Sequence, residues 1–199
     1  PDYAVTGVQT CALPILLEAA IKVFAKYGYH DSKVSQISKE ALVSVGSIYV
    51  YYKSKEDILN KIFAFLWDKL YERAEEIIAD ETTSPNEKLN LFIDTFFERF
   101  VSMPELAIVY VNEQRHMELG KNLLPTSYYK YLEIGEKIID DGMKKKLYNP
   151  EVNVKIFRFF IIGGIRNLLE FWARNQGSLP LVELRENVGL IIERGIRNH

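Results

Sequence analysis

Residues 32–57 read SKVSQISKEALVSVGSIYVYYKSKED, and their spacing decides the architecture. Ser32 is a candidate N-cap, and Val34, Ile37, Ser38 and Ala41 then recur three and four apart, the spacing of one helix face. Leu42, Val43 and Ser44 interrupt that pattern, and Ser44 caps a second helix over about residues 45–51. Only Ile48, with Tyr52 just past the end, suits a core. Val45, Gly46, Ser47, Tyr49, Val50 and Tyr51 cover the other faces without one acidic group. Ser54 then caps a third helix with Glu56 and Asp57 in its first turn, which suits the helix dipole. Helices of about two turns are not stable alone. Two of them set at an angle over a small apolar centre make a helix-turn-helix, whose second helix fits the major groove of DNA. The outward chemistry agrees: Gly46 admits a groove wall, Ser47 reaches a phosphate or base edge, and Tyr49 and Tyr51 carry hydroxyls on rigid arms. Lys53 and Lys55 supply phosphate charge. The competing reading is an ordinary helical hairpin with a polar face.

The 199-residue chain has ample material for a core, is 48% hydrophobic, and holds only 11 Gly and 7 Pro, which favours an all-α protein. Its net charge of −2 hides an asymmetry: residues 15–55 contain six Lys against three acids, a local +3, so the remainder carries −5. A basic head on an acidic body suits a head that meets DNA. Cys11 is the single cysteine, so no internal disulfide or cysteine metal site is expected. The most apolar stretch, residues 156–172, is interrupted by Arg158, Arg166 and Glu170, which argues against a membrane span. With no signal-peptide pattern, a cytoplasmic protein is expected.

Residues 1–14 lack a helical period and are read as a non-native leader; VTGVQTCALPI resembles a translated sequencing adapter. The first helix is expected over residues 16–27, with Gly28 as its stop. A long helix follows from Lys55 to Ala79, with Ile58, Leu59, Ile62, Phe63, Leu66, Leu70 and Ile77 inward. Ser84-Pro85-Asn86-Glu87 combines an N-cap, Pro at the first helical position and a reciprocating Glu, so a helix over 85–102 is expected. Pro104 opens the next helix, to about Leu119. Helices over 128–145, 152–175 and 180–196 bring the set to about nine.

Residues 15–59, with the motifs AAIKVFAKYGY and VSVGSIYVYYKSKEDIL, resemble the N-terminal domain of the TetR family of bacterial transcriptional repressors. The resemblance implies DNA contacts by Ser44, Val45, Gly46, Ser47, Tyr49, Val50, Tyr51 and Lys55, with Lys33 and Ser35 touching the backbone. It divides the chain into a helix-turn-helix DNA-binding domain, residues 15–60, and a ligand-binding and dimerisation domain, residues 61–199. Family members usually carry a basic arm where residues 1–14 stand, and commonly a Gly where this chain has Leu42. If that turn needs positive φ, Leu42 is strained by roughly 1 kcal/mol.

In the body, Phe92, Phe96, Phe100, Tyr110, Tyr128, Tyr131, Phe160 and Phe171 offer more aromatic surface than a small core requires. They are candidate walls for an apolar ligand, with Asn112, Glu113, Arg115, His116 and Asn167 as polar groups to orient it. Plain core packing is the alternative. The last two helices are apolar on many sides: Leu181, Leu184, Val188, Ile191 and Gly195 form one stripe, Val182, Leu190 and Ile192 lie off it, and Gly163-Gly164 allows close approach. Paired between two subunits they would build a four-helix bundle and a homodimer facing a pseudo-palindromic operator in double-stranded DNA. Residues 106–172 resemble the acyl-CoA-responsive branch of the family, which implies a small apolar effector, a long-chain acyl-CoA, and a polar pair at Glu113 and Arg115.

Three classes are thus weighed. The first is a repressor released by an apolar effector, and the second a multidrug-responsive repressor of an efflux pump. The third is an enzyme, disfavoured because the chain has three His, no Gly-rich phosphate loop, no nucleophile elbow and no metal-spaced cluster. No catalytic residue, cofactor or metal is expected.

Overall fold

The computed structural model describes the backbone of residues 6–119, 124–175 and 179–197, and within these the side chains from residue 15 onward except 115–119. Among the described residues there are nine helices and no strand. They are α1 (Thr6–Tyr27), α2 (Val34–Glu40), α3 (Val45–Tyr51), α4 (Lys55–Ala79), α5 (Pro85–Ser102), α6 (Pro104–Leu119), α7 (Thr126–Lys144), α8 (Val154–Arg174) and α9 (Leu181–Ile196). The architecture is all-α, and local signals explain most boundaries. Ser44, Ser54 and Ser84 each accept a backbone N–H of the following first turn. Ser84 and Glu87 complete the reciprocal capping box, with Pro85 at the first helical position. Asn153 caps α8 by accepting from the N–H groups of Lys155 and Ile156.

Helices α7, α8 and α9 differ from the expected ranges by one or two residues at their ends, and two further boundaries differ in kind. Helix α1 starts at Thr6 rather than Leu16 and runs through Pro14, whose missing N–H forfeits one backbone hydrogen bond. Ser32 does not cap α2. Its hydroxyl turns back to donate to Tyr29 O at 2.7 Å, and the side chain is buried. Lys33 occupies the cap position instead, and its N–H donates to Gln36 Oε1 at 2.7 Å. Glycine is required after α1, where Gly28 has φ +77°. The turn between α2 and α3 places Leu42 at φ +57° with 92% of its surface exposed. A leucine there gains no burial to offset the left-handed strain.

The core runs continuously from head to body. In the head, Phe24, Ile37, Ile48 and Tyr52 close over one another, so α1, α2 and α3 share one apolar centre. Helix α4 leaves that centre with Ile58 and Leu59 and enters the body through Leu66, Trp67 and Leu70. There it packs on α5 and α7. Helix α9 is tied to α5 by Arg185, which donates to both carboxylate oxygens of Asp94 at 2.6 and 2.9 Å. No helix is long and apolar enough to cross a membrane among the described residues.

Candidate functional site

The head presents α3 outward. Ile48 is its one buried residue, while Val45, Gly46, Tyr49 and Val50 are exposed, Val50 by 76%. Ser47 and Tyr51 are half-buried, and Tyr51 leans on the core. Ser44 Oγ accepts the Ser47 N–H at 3.1 Å and lies 2.8 Å from Ser47 Oγ. The two hydroxyls are therefore held together at the start of the helix. At Gly46 an added Cβ would meet only Ser44 Oγ, at 3.7 Å, so the chain itself imposes no steric need for glycine. Lys33 and Ser35 are exposed at the start of α2. No acidic residue occurs between Glu40 and Glu56, so the outward rod is free of carboxylates.

Lys55, expected to meet a phosphate, stands apart from that outward set in the free chain. Its ammonium turns inward and donates to Tyr29 O at 2.6 Å, His30 O at 2.9 Å and Ser32 O at 2.9 Å. It also lies 4.6 Å from the centre of the Tyr29 ring. An ammonium has three protons, and here each has a carbonyl. The first residue of α4 is thus clamped to the loop between α1 and α2. The Tyr29 phenol is raised above its ordinary pKa by burial first and then by the carboxylates of Glu56 and Glu113. Glu113 is itself buried.

An apolar cavity of about 100 Å³ lies in the body, walled by α4, α5, α6, α7, α8 and α9. Five of the expected residues line it: Phe92, Phe96, Tyr110, Tyr128 and Tyr131. Trp67, 2% exposed, was missed by the sequence reading although it follows Phe63 by four and precedes Leu70 by three on the inward stripe. Its ring meets Tyr128 edge-on at 4.7 Å, with Tyr131 at 5.7 Å and Tyr110 at 6.1 Å. Phe92 stacks on Tyr131 at 4.2 Å, and Gly135 lies so close to Phe92 that an added Cβ would stand 3.1 Å from the ring. The Tyr131 hydroxyl donates to Phe92 O at 3.3 Å, and burial raises its pKa well above the ordinary value. Arg158 and Glu136, also missed, stand in the cavity wall as an ion pair at 2.6 Å.

The remaining expected pocket residues lie elsewhere. Phe100 is fully buried behind the cavity, against Phe96 at 4.9 Å and Tyr110 at 5.3 Å, and does not line it. Glu113 is not in the wall. Phe160, 73% exposed, Phe171 and Asn167 lie on the outer face of α8. The helix is apolar on both sides, and Phe157, Ile161 and Ile165 take the inner one. Asn112 is exposed. The side chains of Arg115 and His116 lie outside the described residues. On α9 the stripe divides as well: Leu181, Leu184, Val188 and Ile192 are buried, whereas Val182, Leu190, Ile191 and Gly195 are exposed.

A helix-turn-helix head joined by one long helix to an all-α body with an apolar cavity defines a one-component transcriptional regulator. Residues 16–62 match the family model described as bacterial regulatory proteins of the tetR family, and residues 63–195 match the YsiA-like C-terminal region. The chain belongs to the TetR family, a class of transcriptional regulators and not of enzymes. It is 35% identical over 184 residues to the fatty acid metabolism regulator protein of Bacillus subtilis strain 168, covering 92% of this chain and 94% of that protein. The crystal structure of the FadR regulator from Bacillus subtilis in complex with stearoyl-CoA has a TM-score of 0.77 at 33% identity, over 92% of this chain and 99% of that one. The fatty acid degradation regulator FadR from Bacillus halodurans has a TM-score of 0.77 at 26% identity, over 92% and 99% of the two chains.

Proposed function

We propose that this TetR-family repressor binds a pseudo-palindromic operator as a homodimer and is released when a long-chain acyl-CoA enters the body cavity. Residues 15–60 form the DNA head and 61–199 the ligand and dimer body. Ser44, Val45, Gly46, Ser47, Tyr49, Val50 and Tyr51 meet the groove, and Lys33 and Ser35 meet the backbone. Lys55 acts through the loop it holds. The exposed apolar faces of α8 and α9 pair with their copies, and Gly163 and Gly164, where a Cβ would meet nothing within 4 Å, admit the partner helix closely.

One observation carries the effector reading: α4 bears both the cavity wall and the head clamp. Lys55 and Trp67 are twelve residues apart on it, about 18 Å along the axis. The cavity, about 100 Å³, is smaller than the roughly 300–1,000 Å³ typical of ligand sites. A long aliphatic chain therefore binds only if its aromatic walls part. Displacing Trp67 displaces α4, and through Lys55 the head loop, which moves α3 relative to its copy. The ligand favours the spread state by the affinity difference between the two states. The relative whose structure is described with stearoyl-CoA supports the same effector class.

The test is operator release, followed by anisotropy of labelled DNA, on titration with acyl-CoAs of increasing chain length and with planar cationic drugs. Release by long acyl-CoAs alone is expected. Release by the drugs and not by any acyl-CoA would make the protein a multidrug-responsive regulator instead.

A further inference from the structure

The cavity wall carries charged side chains at one place. Arg158 of α8 and Glu136 of α7 face each other there, Nη1 to Oε1 at 2.6 Å, with 25% and 20% of their side chains exposed. The pair therefore sits at the boundary between cavity and solvent. It is close but badly aligned. Glu136 Oε1 and Arg158 Nε are both buried and lack a well-directed hydrogen bond. The guanidinium also leans on the Phe159 ring, 4.8 Å from its centre, which holds its plane in one orientation. A partly desolvated guanidinium with an unused N–H is an unfilled position for a planar or phosphate anion.

We propose that Arg158 reads the charged end of the effector, exchanging the Glu136 carboxylate for an anionic oxygen carried on an aliphatic chain whose tail fills the cavity. The proposal rests on the reading of this cavity as the effector site and adds to it the residue that selects the chemical class. Glu136 is the competitor that keeps the mouth closed while the cavity is empty. A neutral chain cannot displace it, because the guanidinium would be left with no anion. The shared ligand chemistry is a long aliphatic chain ending in an anionic oxygen, supplied by a free carboxylate or by the phosphates of a coenzyme A ester.

The experiment measures binding of laurate, lauroyl-CoA and dodecanol to the full chain and to its Arg158→Met and Glu136→Gln variants. In the unmodified protein laurate is expected to bind about tenfold tighter than dodecanol, the worth of one charge-assisted hydrogen bond. Arg158→Met abolishes that preference while dodecanol binds as before. Glu136→Gln tightens laurate about tenfold and leaves dodecanol nearly unchanged. A loss in Arg158→Met confined to laurate assigns the contact to a carboxylate at the chain end, a loss confined to lauroyl-CoA assigns it to the phosphates, and a loss of both means that the one guanidinium takes either anion; all three support the exchange. Retention of the laurate preference in Arg158→Met with unchanged lauroyl-CoA binding overturns it. Should Arg158→Met not fold, unchanged affinity of both laurate and lauroyl-CoA in Glu136→Gln overturns it equally. If dodecanol binds and neither laurate nor lauroyl-CoA shows any dependence on Arg158, the cavity reading survives alone. If no chain binds at all, the cavity reading fails and the exchange fails with it.

Discussion

Replacing Lys55 by Met keeps most of the unbranched stem and removes the ammonium, with its charge and its three donors. In the structure that charge is engaged by three carbonyls at 2.6 to 2.9 Å, all in the loop between α1 and α2. Hydrogen bonds to a charged group each contribute about 1.5–3 kcal/mol, but one ammonium shared among three acceptors near solvent does not sum them. A net loss of roughly 2–3 kcal/mol is the reasonable figure, since the three carbonyls regain water when the loop opens. For a chain of this size that lowers Tm by roughly 4–12 °C. A phosphate contact behaves in the opposite way. Its loss leaves stability alone and flattens the dependence of log K on log salt by about one. Thermal melting of free Lys55→Met, together with operator affinity at four salt concentrations, separates the two. A lower Tm with an unchanged salt slope is expected. An unchanged Tm with a slope smaller by one would refute the clamp and restore Lys55 to the DNA contacts.

Leu42→Gly should relieve about 1–2 kcal/mol of left-handed strain and return roughly 0.4–1 kcal/mol as unfolded-state entropy; a midpoint in urea that does not rise contradicts the strain. Gly46→Ala meets no clash within the chain and improves helix propensity by about 0.5–1 kcal/mol, yet should weaken operator binding; tighter or unchanged binding would mean that no groove wall comes close there. Phe160→Glu sets a charge in the exposed apolar face of α8 and should yield a monomer that no longer holds the operator, read by light scattering and anisotropy. Burial and, in second place, Asp57 push the Tyr52 phenol up to about 12 from 10.0. The protonated form is thus favoured on folding, so its stabilising contribution is whole below pH 10 and is lost as pH rises from 10 towards 12. Tyr52→Phe should flatten the alkaline limb of a stability profile, and an unaltered limb counts against the burial.

What was legible in the sequence was local. Ser84 with Glu87, and Ser54 ahead of its two acids, mark helix starts because the capping bonds span only three residues. The aromatic positions on α5 and α7 could be found because each of those helices has one apolar face. Helix α8 has two, so periodicity could not tell Phe157, which lines the cavity, from Phe160, which faces outward. Arg158 looked like an interruption of an apolar run, since only the fold brings Glu136 of α7 beside it. The clamp made by Lys55 was hidden for a similar reason: charge pattern says that an ammonium is present, but its three acceptors lie 23 to 26 residues upstream. Trp67 was on the inward stripe and open to notice. The sequence could not foresee that the α4 stripe would meet α7 beside a void.

The central claim is that occupancy of the cavity and of the operator oppose each other through α4. Thermodynamic reciprocity tests it without assuming a path. The affinity of a long-chain acyl-CoA is measured by calorimetry on the free protein and on the operator complex, and the affinity of the operator with and without saturating acyl-CoA. The account predicts that both affinities fall by the same factor, of the order of 5- to 150-fold. An acyl-CoA that binds the free protein and the operator complex equally well would contradict it.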